Sequence, residues 1–295
     1  MNLSAAHPTN ELSRFLDWPG GKGDLAPLTG PAQEGEVNFS TDLEGVVARL
    51  ALSSEIANQA FRAAKATSSV LIIGEQGTGK QVLAEAVHRV SVRRNAPFIV
   101  FDASAEVDRA DVELFGGQVE GGAEGSGRLE AADGGTVCIK HLCDLPRTAQ
   151  ARLSQFLEKG TVAGWSDGTA RPLNVRVTAT SRCELEPLVE AKSFREDLYY
   201  LLSVVVIHVP PLRERLGRIP AMVERLLEEL CRIHHLPLVV PDQELLHWLK
   251  LYNWPGNFRQ LRTCLETMVI MARGRELTLA DLPSGMMAPA AAGVR

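Results

Sequence analysis

No stretch of this 295-residue chain approaches the roughly 18 consecutive apolar residues of a membrane span. The longest strongly apolar run, VVVIHV at 204–209, is only as long as a β-strand. The N-terminus, MNLSAAHPTNELSRFLDW, has neither a basic start nor an apolar centre, so no secretory signal is expected. Positive charge is not in excess: 31 Lys and Arg stand against 36 Asp and Glu, a formal net charge of −5. A chain of that sign is not expected to grip DNA over a broad face. Cysteine is sparse, and its five scattered residues fit reduced thiols in a cytoplasm rather than a disulfide framework. No internal repeat is present. What is there is an ordinary globular composition, long enough for one large domain or two modest ones with a sizeable core.

Residues 1–40 are broken by Pro8, Pro19, Gly20, Gly21, Gly23, Pro27, Gly30, Pro31 and Gly35 and are expected to form a flexible leader, with one short helix at 10–18. Strand-like and helix-like segments then alternate. Apolar runs at 70–73, 98–101, 136–139, 175–180 and 204–209 read as five strands. Helical spacing at 79–93 and 149–157 reads as connecting helices. That pattern predicts a parallel five-stranded sheet between helices over 41–212. After Pro211 the period becomes helical throughout, with segments at 219–235, 242–251 and 257–272 punctuated by Pro241 and Trp254-Pro255-Gly256. A small all-helical domain over 213–283 follows from this, and a frayed, disordered tail over 284–295.

The segment GEQGTGKQ (Gly74, Glu75, Gln76, Gly77, Thr78, Gly79, Lys80, Gln81) sits directly after the first strand and opens a helix. That is the context a phosphate-binding loop needs. Its glycines let backbone N–H groups converge on phosphate oxygens, the helix N-terminus adds a favourable field, and Lys80 reaches the β- and γ-phosphates. Gln81 stands where the general motif places a Ser or Thr on Mg²⁺.

Taken in order, VLIIGEQGTGKQVLAEAVH, PFIVFDAS, VELFG, GRLEAADGGT, LP…AQARLSQFLEKG, SFREDLYYLLSVVVIHVPPLRER and NWPGNFRQLR closely resemble the sigma-54-dependent transcription activators, the NtrC-like AAA+ ATPases. The resemblance covers about 45–283. It implies an AAA+ P-loop domain followed by a helical lid, ATP or ADP as the ligand, and assembly into a ring with nucleotide at subunit interfaces. Arg259 then matches the lid arginine that watches the nucleotide, and Arg195 the first of two interface arginines.

Several family positions are replaced. Lys140 and His141 stand where the family has an Asp-Glu pair that orients Mg²⁺ and activates water. Lysine is expected to repel a divalent cation and to neutralise some phosphate charge itself, so dependence on Mg²⁺ is in doubt. Ser181 and Arg182 replace a Thr-Asn pair that senses the γ-phosphate, and Leu201 replaces the second interface arginine. Val46-Val47-Ala48 replaces an adenine-contacting Ile-Val-Gly. The GAFTGA loop that pushes on the sigma factor is absent. Residues 117–126, GQVEGGAEGS, instead suggest a shorter, flexible acidic loop carrying Glu120 and Glu124, so direct contact with sigma-54 is doubtful.

Cys138, His141 and Cys143 form a C-x₂-H-x-C cluster, but it lacks a fourth ligand, and alternate strand residues point to opposite faces, so no metal site is expected. His234-His235 reads as a complement to a helix C-terminus. No receiver domain or helix-turn-helix is expected, and so no sequence-specific DNA reading by this chain alone. Three readings stay open: a nucleotide-binding but hydrolysis-deficient regulator that joins or caps the ring of another AAA+ activator, an active ATPase that remodels sigma-54 polymerase, and an interaction module without nucleotide. The first is preferred, with self-association left open.

Overall fold

The computed structural model describes residues 43–105, 107–118, 124–163 and 169–286. The expected leader, its helix at 10–18, the tip of the acidic loop and the tail beyond Met286 lie outside them. Two helices, α1 (Leu43–Arg49) and α2 (Ser54–Lys65), lead into β1 (Val70–Ile73) and α3 (Lys80–Arg89). Ser53 caps α2, its hydroxyl accepting from Ile56 N–H. There follow β2 (Phe98–Asp102), α4 (Ala110–Phe115), a hairpin of β3 (Gly117–Gln118) and β4 (Glu124–Gly125), α5 (Arg128–Ala131), β5 (Thr136–Lys140) and α6 (Arg147–Lys159). A second hairpin, β6 (Thr161–Ala163) and β7 (Ala170–Pro172), precedes β8 (Arg176–Ser181), α7 (Glu186–Glu190), α8 (Glu196–Leu202) and β9 (Val205–His208). The lid is α9 (Ile219–Ile233), α10 (Gln243–Leu251) and α11 (Asn257–Ala272).

Five strands form one parallel sheet in the order β2-β5-β8-β1-β9. The chain's first strand therefore lies between its last two, and the crevice at the carboxyl ends of β1, β5 and β8 is the natural ligand position of an open α/β sheet. All four residues of β1 are buried, and they alternate. Val70 and Ile72 pack with α2, α3 and the lid, whereas Leu71 and Ile73 pack with α4, α6 and α8. A strand covered on both faces reads as a continuous apolar run, which is why periodicity located it.

The lid closes on its own aromatic cluster. Trp254 is fully buried, its indole N–H donates to Leu249 O at 2.9 Å, and Tyr252 and Trp248 pack on it at 5.0 and 6.3 Å. The last described turn, Ser284–Met286, is a 3₁₀ turn with Met286 buried. The expectation that fraying begins at residue 284 is therefore corrected, because the Met286 side chain finds an apolar seat in the lid. Among the described residues no helix is long and apolar enough to cross a membrane.

Helix α3 ends at Arg89, short of the expected residue 93. The Ser91 hydroxyl donates to His88 O at 2.7 Å and accepts from Arg93 N–H at 3.1 Å, which diverts the backbone from helix. Arg93 then reaches Gly134 O, Gly135 O and the side chain of Asn174. The acidic loop is also not unstructured throughout, since Gly117 pairs with Gly125 and Gln118 with Glu124. Its ends are held by a close backbone approach: a Cβ on Gly127 would lie 2.3 Å from Gly116 N. The β6–β7 hairpin was not foreseen, as three-residue strands carry little periodic signal.

Candidate functional site

Residues 74–79 form the turn between β1 and α3, at the carboxyl edge of the sheet. The first-turn N–H groups of α3 have no partners within the helix and face the same edge. Gly79 precedes the helix at φ +99°, and Gly77 has φ +81°. A Cβ on Gly77 would lie 2.2 Å from Gly256 O, so only glycine lets the lid backbone rest against the loop. Thr78 is buried and its hydroxyl donates to Glu75 O at 2.8 Å, while Gln76 and Gln81 are exposed. Lys80 Nζ donates to Gly74 O at 2.6 Å and Glu75 O at 2.7 Å. Burial pushes the Lys80 ammonium down to about 8, with nearby Arg259 adding to the shift and Cys143 and Glu75 opposing it.

The lid is tied to this loop at three points. Arg259 N–H donates to Gly77 O at 3.1 Å. Asn257, fully buried at φ +53°, accepts from Leu212 N–H at 2.7 Å and donates to Gln76 O at 3.0 Å and Glu75 Oε2 at 3.1 Å. Arg213 grips Glu75 through both carboxylate oxygens, at 2.6 and 2.8 Å. Hydrogen bonds from Arg213 first and Asn257 next hold the Glu75 carboxyl down at about 2. The Arg259 side chain is exposed but close enough to Lys80 to act on its charge.

Lys140 ends β5 and His141 follows it, and both turn to a carboxylate on the neighbouring strand. Asp102, which pairs in register with Lys140, takes Lys140 Nζ on Oδ2 at 2.8 Å and His141 Nδ1 on Oδ1 at 2.8 Å. The Ser104 hydroxyl donates to Asp102 Oδ1 at 2.7 Å and lies 3.0 Å from His141 Nδ1. Burial pushes the Asp102 carboxyl up, but hydrogen bonds from Lys140, His141 and Ser104 outweigh it and hold it well below the usual range. In this structure the Lys140 ammonium is paired with Asp102.

Few oxygen donors at this edge are left over for Mg²⁺. A hard cation takes carboxylate and hydroxyl oxygens. Here Gln81 replaces the hydroxyl, and both oxygens of Asp102 are engaged. Among the described residues no group of three or more His, Cys, Asp or Glu is placed to hold a metal ion. The C-x₂-H-x-C residues disperse. Cys138 is buried in the core, where burial pushes its thiol up to about 12. His141 goes to Asp102, and Cys143 faces Cys183.

The remaining positions have their own partners. Arg182 pairs with Asp144 at 2.9 Å, and Ser181 is buried at the end of β8. Arg195, just before α8, holds Asp197 through two hydrogen bonds of 3.0 and 2.6 Å. Leu201 is half-buried in α8, and Val46-Val47-Ala48 lies within α1, with Val46 in the core. His234 corrects the helix-terminus reading in part, since its Nε2 lies 3.1 Å from Glu266 and ties α9 to α11. Sequence reasoning missed Asp102, Ser104, Asn257, Arg213 and Cys183. For Asp102 a signal existed: opposite charges at the same end of two adjacent strands.

The chain matches the Sigma-54 interaction domain over residues 46–208, more than half its length, and an AAA+ ATPase lid domain over 213–293. It belongs to the sigma-54 activator family. This activator-type chain is 37% identical over 239 residues to the Nif-specific regulatory protein of Azotobacter vinelandii, covering 79% of this chain and 45% of that protein. Identity to regulatory protein LuxO of Vibrio parahaemolyticus is also 37%, over 248 residues, 80% of this chain and 54% of the other. The crystal structure of NtrX from Brucella abortus in complex with ATP superposes with a TM-score of 0.73 at 29% identity, covering 81% of this chain and 55% of that one. The chain thus spans about half the length of the curated relatives it matches.

Proposed function

We propose that this sigma-54 activator-type protein binds ATP or ADP, does not turn it over, and regulates transcription by associating with a genuine activator of its own family. The observation that carries the reading is the closed set Asp102–Lys140–His141–Ser104. Lys140 and the Nδ1 of His141, at the family's metal and water-activating positions, are held by Asp102, while the loop from Gly74 to Lys80 keeps its phosphate-binding form. The ATP complex of NtrX, a relative of similar fold, supports nucleotide as the ligand. Backbone N–H groups of 77–81 and the Lys80 ammonium would hold the phosphates, with Arg259 at the lid side. Binding is expected to depend little on Mg²⁺. The test is binding of a fluorescent ATP analogue together with phosphate release. Binding without release fits the proposal, release marks an active ATPase, and neither marks an interaction module without nucleotide.

The position of Lys80 yields a pH prediction. Burial lowers its ammonium to about 8 in the free chain, and bound phosphates are expected to raise it again. The bound form then holds more protons than the free form above that pH, so affinity falls as pH rises through 8, by up to about tenfold per unit. Lys80→Ala is expected to weaken binding at least about tenfold at pH 7, about 1.4 kcal/mol, and to remove the alkaline slope. Titration of a labelled ATP analogue between pH 6.5 and about 9.5 checks both; equal affinities for wild type and variant rule the reading out.

The partner follows from what is kept. Arg195 survives at the interface position beside a site without its own hydrolytic groups, and Leu201 leaves the second arginine out. The Arg195–Asp197 pair is exposed and breaks at little cost, so Arg195 is free to exchange Asp197 for a phosphate on a neighbour. Each such subunit in a mixed ring also lacks the sigma-contacting GAFTGA sequence. Inhibition is the expected sign. Titrating the protein into a purified cognate activator is expected to lower phosphate release and promoter opening in proportion to its share of the ring. An unchanged activator, with no co-migration on a sizing column, eliminates the mixed ring.

A further inference from the structure

We infer that Cys143 and Cys183 form an oxidisable dithiol at the phosphate end of the nucleotide site, which a peroxide converts to an intramolecular disulfide. The topology places them together. Strands β5 and β8 are parallel neighbours with Ile139 opposite Ala179, and each cysteine lies four residues beyond its member of that pair. Beside them, Arg182 pairs with Asp144 at 2.9 Å, which ties the two cysteine-bearing turns together, and the two thiols lie close enough to act on each other's charge. The Ser181 hydroxyl fixes the Cys183 backbone, donating to its carbonyl at 2.5 Å and accepting from its N–H at 3.3 Å. Cys183 is exposed and Cys143 half-buried, whereas Cys138, Cys231 and Cys264 are buried. The pair is thus both juxtaposed and reachable, which the other three are not.

The chemistry balances with a peroxide as co-reactant. Of the two thiols, Cys143 is the one close enough to the Lys80 ammonium to act on its charge, which places it at the phosphate end. Its sulfur attacks one peroxide oxygen, the O–O bond breaks, and the departing oxygen leaves as water with the thiol proton. The Cys183 sulfur then attacks the Cys143 sulfenic acid, the S–O bond breaks, and a second water carries away the Cys183 proton. Two electrons pass from the thiols to the peroxide. Because Cys143 adjoins the lysine that holds the phosphates, bound nucleotide screens it. That part rests on the nucleotide reading above, whereas the disulfide itself does not.

The test treats the reduced full chain with hydrogen peroxide, with and without a saturating non-hydrolysable ATP analogue, and identifies linked peptides by mass spectrometry. The expected result is a Cys143–Cys183 linkage that dithiothreitol reverses, that Cys143→Ser and Cys183→Ser each abolish, and that the analogue slows at least threefold. Absence of the linkage, or oxidation dominated by linkages between chains, overturns the proposal. An unchanged rate with analogue bound overturns its placement at the phosphate end. Binding of the analogue by the reduced chain is measured in parallel, so failure of the nucleotide reading shows as lost binding while the linkage persists.

Discussion

Phosphate release by the purified chain is expected to lie at least about a thousandfold below that of an active member of its family if, as proposed, Lys140 and His141 stand in place of the metal-side and water-activating carboxylates. His141 is not expected to make up the loss, because its side chain is shorter than the glutamate it replaces. Its Nδ1 lies against Asp102 and Ser104, and its left-handed backbone at φ +53° turns the ring toward β2. Release within tenfold of an active relative, abolished by Lys80→Ala, overturns the assignment. The geometry also predicts that simple reversion fails. Lys140→Asp with His141→Glu brings three carboxylates together at the ends of β2 and β5, where like charges repel and burial magnifies the repulsion. The double variant is expected to lose about 1–3 kcal/mol of stability and gain no turnover. Adding Asp102→Asn is expected to recover most of the stability, and denaturant unfolding of the three proteins reads this directly. A double variant as stable as wild type means that Asp102 does not hold Lys140 and His141 in solution.

Asn257→Ala is expected to destabilise the chain by about 3–5 kcal/mol. Asn257 joins the phosphate loop, the end of the α/β domain and the first turn of α11 through three hydrogen bonds, and it is fully buried. Truncation strands Leu212 N–H and Gln76 O without their partner. It also puts alanine at φ +53°, a conformation that asparagine tolerates better. Asn257→Gly removes the same hydrogen bonds but not the backbone freedom, so the difference between the two variants, about 1 kcal/mol, isolates the backbone share. Equilibrium unfolding in urea measures both, and a loss below about 1 kcal/mol for the alanine variant refutes the account. Nucleotide affinity should weaken with stability, because Asn257 and the Glu75–Arg213 pair set where the lid rests on the loop.

The sequence by itself determined what is local. The five strands of the sheet are short apolar runs, the lid helices repeat at helical spacing, and the phosphate loop is a contiguous glycine pattern between a strand and a helix. Each of these is legible because the residues that cooperate are neighbours in the chain. The family resemblance and the replacements at positions 140, 141, 182 and 201 were legible in the same way, as departures within aligned blocks. What Lys140 and His141 do instead was decided only by tertiary structure, since Asp102 lies nearly forty residues away and meets them through strand register. The same holds for Asn257 and Arg213 on the phosphate loop, and for Cys143 with Cys183, brought together because β5 and β8 are parallel neighbours. A parallel sheet joins residues through long crossovers, and no period or spacing in the sequence states which strand ends will share an edge.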